Sequence, residues 1–221
     1  MKKTNMIDLH CDTFLKMMLP AEDGTRIHLK KNNLHIDIER LKKVGASAQM
    51  FAVFTPIKRL ENYGFSAENS FEYVKAVSKL MDDEFKLNKD DIALATNYSD
   101  YLKNMNDGKI SAFKTIEEGY ILDNKIERMQ ELYDMNFRIL GLIWCPENCN
   151  GFCNSKDPDL MSKGLKPFGI EVVEKANELG MIIDVSHLSD GGFYDVCKYS
   201  KKPFMATHSN CRLQAEKSTF C

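Results

Sequence analysis

Five side chains, far apart in the chain, are of the types that bind divalent cations: His10, Asp12, Glu118, His187 and His208. Each stands at or just past the end of a short apolar run. Ile182-Ile183-Asp184-Val185-Ser186 leads into His187, Pro203 to Thr207 into His208, Ile110 to Ile116 into Glu117-Glu118, and Met6 to Leu9 into His10. Side chains at i and i+2 leaving a strand point the same way, so His10 and Asp12 can grip one ion together while Cys11 turns aside. Three imidazoles and two carboxylates make a ligand set for two divalent ions, with zinc expected. Glu118 can bridge both, and water held between them would be acidified to a nucleophilic hydroxide near neutral pH. A lone histidine at a strand end is more often a hydrogen-bonded core or surface residue. The metal reading gains because three of the five histidines agree with one geometry; His28 and His35 lie in polar loop sequence and are read as surface residues.

The elements that must position these residues alternate. After Met6–His10 a polar stretch runs to about Asn33, and a helix over 36–44 ends at Gly45, as glycine ends helices. Ala46 to Phe54 is nearly unbroken apolar sequence, the pattern of a strand buried on both faces. A helix carrying Val74, Val77 and Met81 follows, capped by Ser66 or Ser70. Then come a short strand-like piece at Ile92–Ala95, a helix from about Ser99, a turn at Asn106-Asp107-Gly108 and a strand at Ile110–Ile116. An amphipathic helix is expected over Asp123–Met135 and a strand over Phe137–Trp144. Pro167 opens a helix running to Leu179; strands at Met181–Ser186 and Pro203–Thr207 flank a helix at Asp190–Tyr199. Such alternation predicts a parallel sheet with helical crossovers. Without a Gly-rich phosphate loop after the first strand, a (β/α)8 TIM-type barrel is favoured over a nucleotide-binding doubly wound sheet. About six of its eight strand–helix units are present, and the strand ends would converge on one face.

Composition narrows the partners. The chain has 221 residues, a net charge of −2 and 43% hydrophobic residues. No basic patch calls for nucleic acid, and no apolar run approaches the ~18 residues of a membrane span or the pattern of a signal peptide. A soluble, cytoplasmic protein is expected. Seven cysteines, an odd number, argue against a disulfide framework and for reduced thiols. Cys145, Cys149 and Cys153 fit no common metal or cluster spacing and are read as incidental loop thiols. The scattered methionines are read as core filling.

Four stretches together carry a resemblance: IDLHCDT at 7–13, TIEEG at 115–119, GMIIDVSHLSD at 180–190 and ATHSNCR at 206–212. In order and spacing they resemble the membrane (renal) dipeptidase family, peptidase family M19, and its soluble bacterial members in particular. The resemblance implies a (β/α)8 barrel with two zinc ions that hydrolyses dipeptides. By motif, His10, Asp12 and Glu118 would hold the first zinc, Glu118 would bridge to the second, and His187 and His208 would complete it. A bridging hydroxide would attack the peptide carbonyl.

The departures are specific. The family's Glu-Gly-Gly reads Glu118-Gly119-Tyr120, and Trp144 stands where many members carry a substrate-contacting histidine. Trp144 and Asn148, in the loop after the fourth strand, are the candidate substrate contacts. The likeness covers residues 1–212 as a partial barrel domain. The segment 213–221 matches none of the expected continuation, with Thr219 where a substrate-binding arginine would stand, as after a truncation or frameshift. Unpaired edge strands would then favour self-association into homo-oligomers. Two other readings compete. One is a non-catalytic, metal-binding or inert remnant. The other is a different metal-dependent amidohydrolase, which the His-x-Asp opening disfavours.

Overall fold

The computed structural model describes residues 5–210. Its chain divides into two compact units, Met1–Thr115 and Ile116–Cys221. Among the described residues six strands alternate with eight α-helices.

In the first unit β1 (Met6–Asp8) leads through a short connection, buried only at Cys11, into α1 (Thr13–Met17), a short helix inside the stretch expected to be loop. It forms because Phe14 and Met17, one turn apart, both enter the core. α2 (Ile38–Val44) is capped by Asp37, which accepts from Arg40 N, and closed by Gly45 at φ 72°, a left-handed conformation suited to glycine. β2 (Ala46–Val53) is buried along nearly its whole length, as the apolar run predicts. α3 (Ser70–Leu87) starts after Asn69, and β3 (Ile92–Leu94) is a full ladder strand despite its length. α4 (Tyr98–Asn106) is capped by Asn97, and β4 (Ile110–Ile116) follows. β1 pairs with β2, β2 neighbours β4, and β3 pairs in parallel with β4, with Ile92 opposite Ile110.

The core of this unit is an aromatic cluster of Phe14, Phe51 and Phe85, with ring centroids 5.3–5.8 Å apart. Two charged groups are buried beside it. Lys114 reaches Asp82 at 2.6 Å and the Ser78 hydroxyl at 3.1 Å, and burial lowers its pKa. Glu84, wholly buried, accepts from Leu29 N at 2.9 Å and pairs with His28 Nδ1 at 2.9 Å. His28 and His35 are exposed, as expected.

In the second unit a 3₁₀ turn at Gly119–Leu122 precedes α5 (Arg128–Asp134). The amphipathic helix expected from Asp123 starts five residues late. Asp123 and Asn124 adopt left-handed φ values of 48° and 55°, which no α-helix accommodates. β5 (Phe137–Gly141) ends its ladder at Gly141, where a side chain would meet the Glu117 carbonyl oxygen at 2.5 Å. After the short α6 (Pro158–Met161), α7 (Pro167–Leu179) and α8 (Asp190–Tyr199) occupy the spans predicted for them. β6 (Ile182–Asp184) lies between them and pairs in parallel with β5, with Ile139 opposite Ile182. The expected strand at Pro203–Thr207 is reduced to a parallel bridge between Asp184 and Met205, held by Val185 N to Met205 O and Met205 N to Ile183 O. Residues 211–221, including the tail whose ancestry the sequence questions, lie outside the described residues.

Candidate metal centre

In the first unit His10 and Asp12 sit in the turn just past β1, not on the strand. His10 Nε2 stands 3.5 Å from Asp12 Oδ1, so the two side chains do face one another. Cys11 between them is buried, and burial pushes its thiol up to about 12. That thiol is a packing residue.

In the second unit three ligand-type atoms converge. His187 Nε2 lies 2.7 Å from His208 Nε2 and 3.2 Å from Glu117 Oε1; His208 Nε2 lies 3.5 Å from the same oxygen. The backbone supports this placement: His187 holds φ at 67°, rare for a residue with a side chain, at the turn after β6. Its carbonyl accepts from Asn154 N at 2.7 Å, tying the turn to the loop opposite.

The surroundings of His208 orient its ring. Asp184, buried, accepts from the backbone N–H groups of Ser186 (3.0 Å) and Thr207 (3.1 Å), and from the Thr207 hydroxyl at 2.5 Å. The same hydroxyl lies 2.7 Å from His208 Nδ1. Its single proton goes to the carboxylate, so it can only accept from Nδ1. Nδ1 therefore carries the ring hydrogen, and Nε2 faces His187 and Glu117 as a bare lone pair. Two imidazole nitrogens and a carboxylate oxygen this close form a donor set of the type that binds metal. Ligand atoms about 2.0–2.2 Å from one tetrahedral ion stand roughly 3.3–3.5 Å apart. The donor set fits a divalent cation, and the approaches of the imidazoles to Glu117 at 3.2 and 3.5 Å are near that spacing, whereas the two imidazole nitrogens, 2.7 Å apart, stand at hydrogen-bond distance.

Glu118, expected to be the bridging carboxylate, is placed elsewhere. It accepts from Tyr120 N (2.9 Å), Trp144 N (3.1 Å) and Asn148 Nδ2 (2.7 Å). Its carboxyl is pushed up to about 7, because burial, with a smaller contribution from the neighbouring Glu117, outweighs the pull of those hydrogen bonds. Successive strand residues face opposite sides, so the pair cannot both reach the histidines. Glu117 shares its parity with Ser111, Phe113 and Thr115, and Glu118 shares that of Ile110, Ala112, Lys114 and Ile116, so each face of β4 carries both polar and apolar residues. The strand pattern therefore gives no signal that singles out Glu117; its place beside the histidines is set by the fold.

The two candidate substrate contacts separate as well. Trp144 presents its ring to His187 at 6.5 Å between centroids, a wall beside the histidines. Asn148 is committed inside its loop: its amide nitrogen donates to Glu118 and to Leu142 O, and its oxygen accepts from Asn150 N at 2.7 Å. It shapes the loop and has no polar hydrogen left for a ligand.

The sequence profile of "Membrane dipeptidase (Peptidase family M19)" matches residues 1–219. The chain belongs to peptidase family M19. Solved structures agree in fold. A metallo peptidase from Rhodobacter sphaeroides, liganded with a phosphinate mimic of the dipeptide L-Ala-D-Ala, superposes with a TM-score of 0.84 at 22% identity, over 96% of this chain and 67% of that one. The dipeptidase AC, a metallo peptidase of family M19, gives 0.83 at 22% identity, over 96% and 65%. The probable dipeptidase PvdM from Pseudomonas aeruginosa gives 0.80 at 19% identity, over 94% and 52%. The M19 chain thus spans between about half and two thirds of the length of these structures, and its fold is part of a TIM-type (β/α)8 barrel. Among the described residues no helix is long and apolar enough to cross a membrane.

Proposed function

We propose that the chain carries metal ligands of an M19 dipeptidase, with Glu117, His187 and His208 holding a zinc ion. The observation that carries this reading is the convergence of two imidazole nitrogens and a carboxylate oxygen within 3.5 Å of one another. His10 and Asp12 remain the ligands that the family resemblance assigns to a second zinc, and their mutual approach supports a shared ion. A pair of bound divalent ions supplies Lewis acidity and water acidified to near neutral pH for attack on a dipeptide carbonyl. The protein's own groups do the rest. Asp184 and Thr207 hold the His208 ring in the tautomer that offers Nε2, and the indole of Trp144 covers one side of His187 and keeps bulk water from it. Glu118 fixes the backbone at Tyr120 and Trp144 and so the shape of the wall.

The reading is tested by titrating the metal-free chain with zinc by calorimetry and then offering a panel of L,L- and L,D-dipeptides. Zinc uptake with hydrolysis is expected. Zinc uptake without turnover would leave the metal-binding remnant as the better reading, and no uptake would sink both. The orienting network gives a sharper check. Thr207→Val removes the acceptor for His208 Nδ1–H while keeping the side-chain shape. It should weaken zinc binding about 10–100-fold, the usual cost of losing an outer partner of a metal-bound histidine, whereas Thr207→Ser should bind as the parent does. Equal affinity in all three chains would remove the network from the account.

A further inference from the structure

The three cysteines of the 145–153 loop, spaced like nothing familiar, are not equivalent in the folded chain. Cys145 Sγ and Cys153 Sγ lie 2.8 Å apart, roughly 0.75 Å beyond the length of a disulfide bond. Cys149 Sγ instead points to Gly119 O, at 4.0 Å.

The approach of the two sulfurs follows from how each end of the loop is held. Cys153 forms an antiparallel bridge with Leu188, and the flanking bonds Asn154 N to His187 O (2.7 Å) and Ser189 N to Phe152 O (3.1 Å) fasten its segment to the turn carrying His187. Cys145 follows Trp144, whose N–H is held by Glu118 and whose ring meets His187. Between them Asn150 braces the loop from inside, donating to Gly119 O (3.0 Å) and Leu142 O (2.9 Å). Both thiols are half-buried, within reach of a small reagent, whereas Cys11 is buried. A loop braced in this way pays little further ordering entropy to bring its thiols together.

We propose that Cys145 and Cys153 are a dithiol that closes to a disulfide when a small disulfide oxidant is present, clamping the loop beside His187. With oxidised glutathione, one cysteine thiolate attacks a glutathione sulfur and expels a glutathione thiolate. The second cysteine thiolate then attacks the mixed disulfide and expels the other. The pair loses two electrons and two protons, and one oxidised glutathione becomes two reduced molecules. The clamp rests on the observed sulfur geometry and stands whether or not the chain hydrolyses dipeptides.

The full chain is incubated with oxidised glutathione, residual thiols are alkylated, and the product is digested with chymotrypsin. Cleavage after Phe152 separates Cys153 from the peptide that holds both Cys145 and Cys149, so a cross-linked peptide shows that Cys153 is joined to one of them, and fragmentation that finds the alkyl group on Cys149 assigns the link to Cys145. A Cys145–Cys153 link with the mass of two hydrogens lost is expected, and Cys149→Ser should leave it intact. The single tryptophan, Trp144, adjoins Cys145, so closure should also quench the intrinsic fluorescence, and dithiothreitol should restore it. Stable glutathione adducts on Cys145 or Cys153 without a cross-link would overturn the proposal. So would a link through Cys149, or alkylation of both thiols after oxidation of exposed Cys197.

Discussion

Glu117→Gln is expected to lower zinc affinity by more than about 100-fold, while Glu118→Gln, one residue away, should change it by less than about 10-fold. The contrast follows from where the two carboxylates point. Glu117 Oε1 lies within 3.5 Å of both His187 Nε2 and His208 Nε2, so its replacement removes a full charge from the group of donors. An outer partner alone is worth 10–100-fold in metal affinity, and a direct ligand is worth more. Glu118 spends its oxygens on Tyr120 N, Trp144 N and Asn148. A glutamine there keeps an acceptor for one or two of those bonds and removes no donor from the histidines. Calorimetric titration of the metal-free chains reads both numbers, and a thermal melt without metal shows whether either variant is merely misfolded. The reverse order of effects would return the ligand role to Glu118.

Glu84→Ala should destabilise the first unit by about 2–4 kcal/mol, a loss on the scale of a broken buried polar network. Glu84 is wholly buried on α3, and one oxygen accepts from Leu29 N at 2.9 Å while the other meets His28 Nδ1 and Arg26. His28 and Arg26 are about half exposed, so water screens their charges and much of their attraction. Most of the cost arises from the orphaned Leu29 amide, buried under the loop, and from the space left beside Phe85. A urea titration should show the midpoint falling by about 1 M, and hydrogen exchange should show the Leu29 amide losing protection by at least about 10-fold. A midpoint unmoved, with Leu29 still protected, would mean that the loop holds itself.

Much of this was legible from local chemistry. The helix at 167–179 begins and ends where a proline at the first turn and a closing glycine at 180 require, because those signals act within a few residues. β2 could be read from its apolar run because a strand covered on both faces leaves no polar position. Asp123–Met135 was misread because apolar spacing cannot register the left-handed backbone at Asp123 and Asn124. The missed α1 is too short to show a period of its own and exists because Phe14 and Met17 have a core to enter.

The metal site divides in the same way. Residue types and motif order point to His187, His208 and Glu118, since ligand chemistry is a property of the side chain. Which glutamate turns toward the imidazoles depends on strand parity and on what captures the other one, and Trp144 N and Asn148 come from a loop some thirty residues downstream. The same holds for the Asp184–Thr207–His208 network and for Cys145 beside Cys153. Side-chain chemistry is written residue by residue, but approach to within 3 Å across the chain arises only when packing has fixed the backbone.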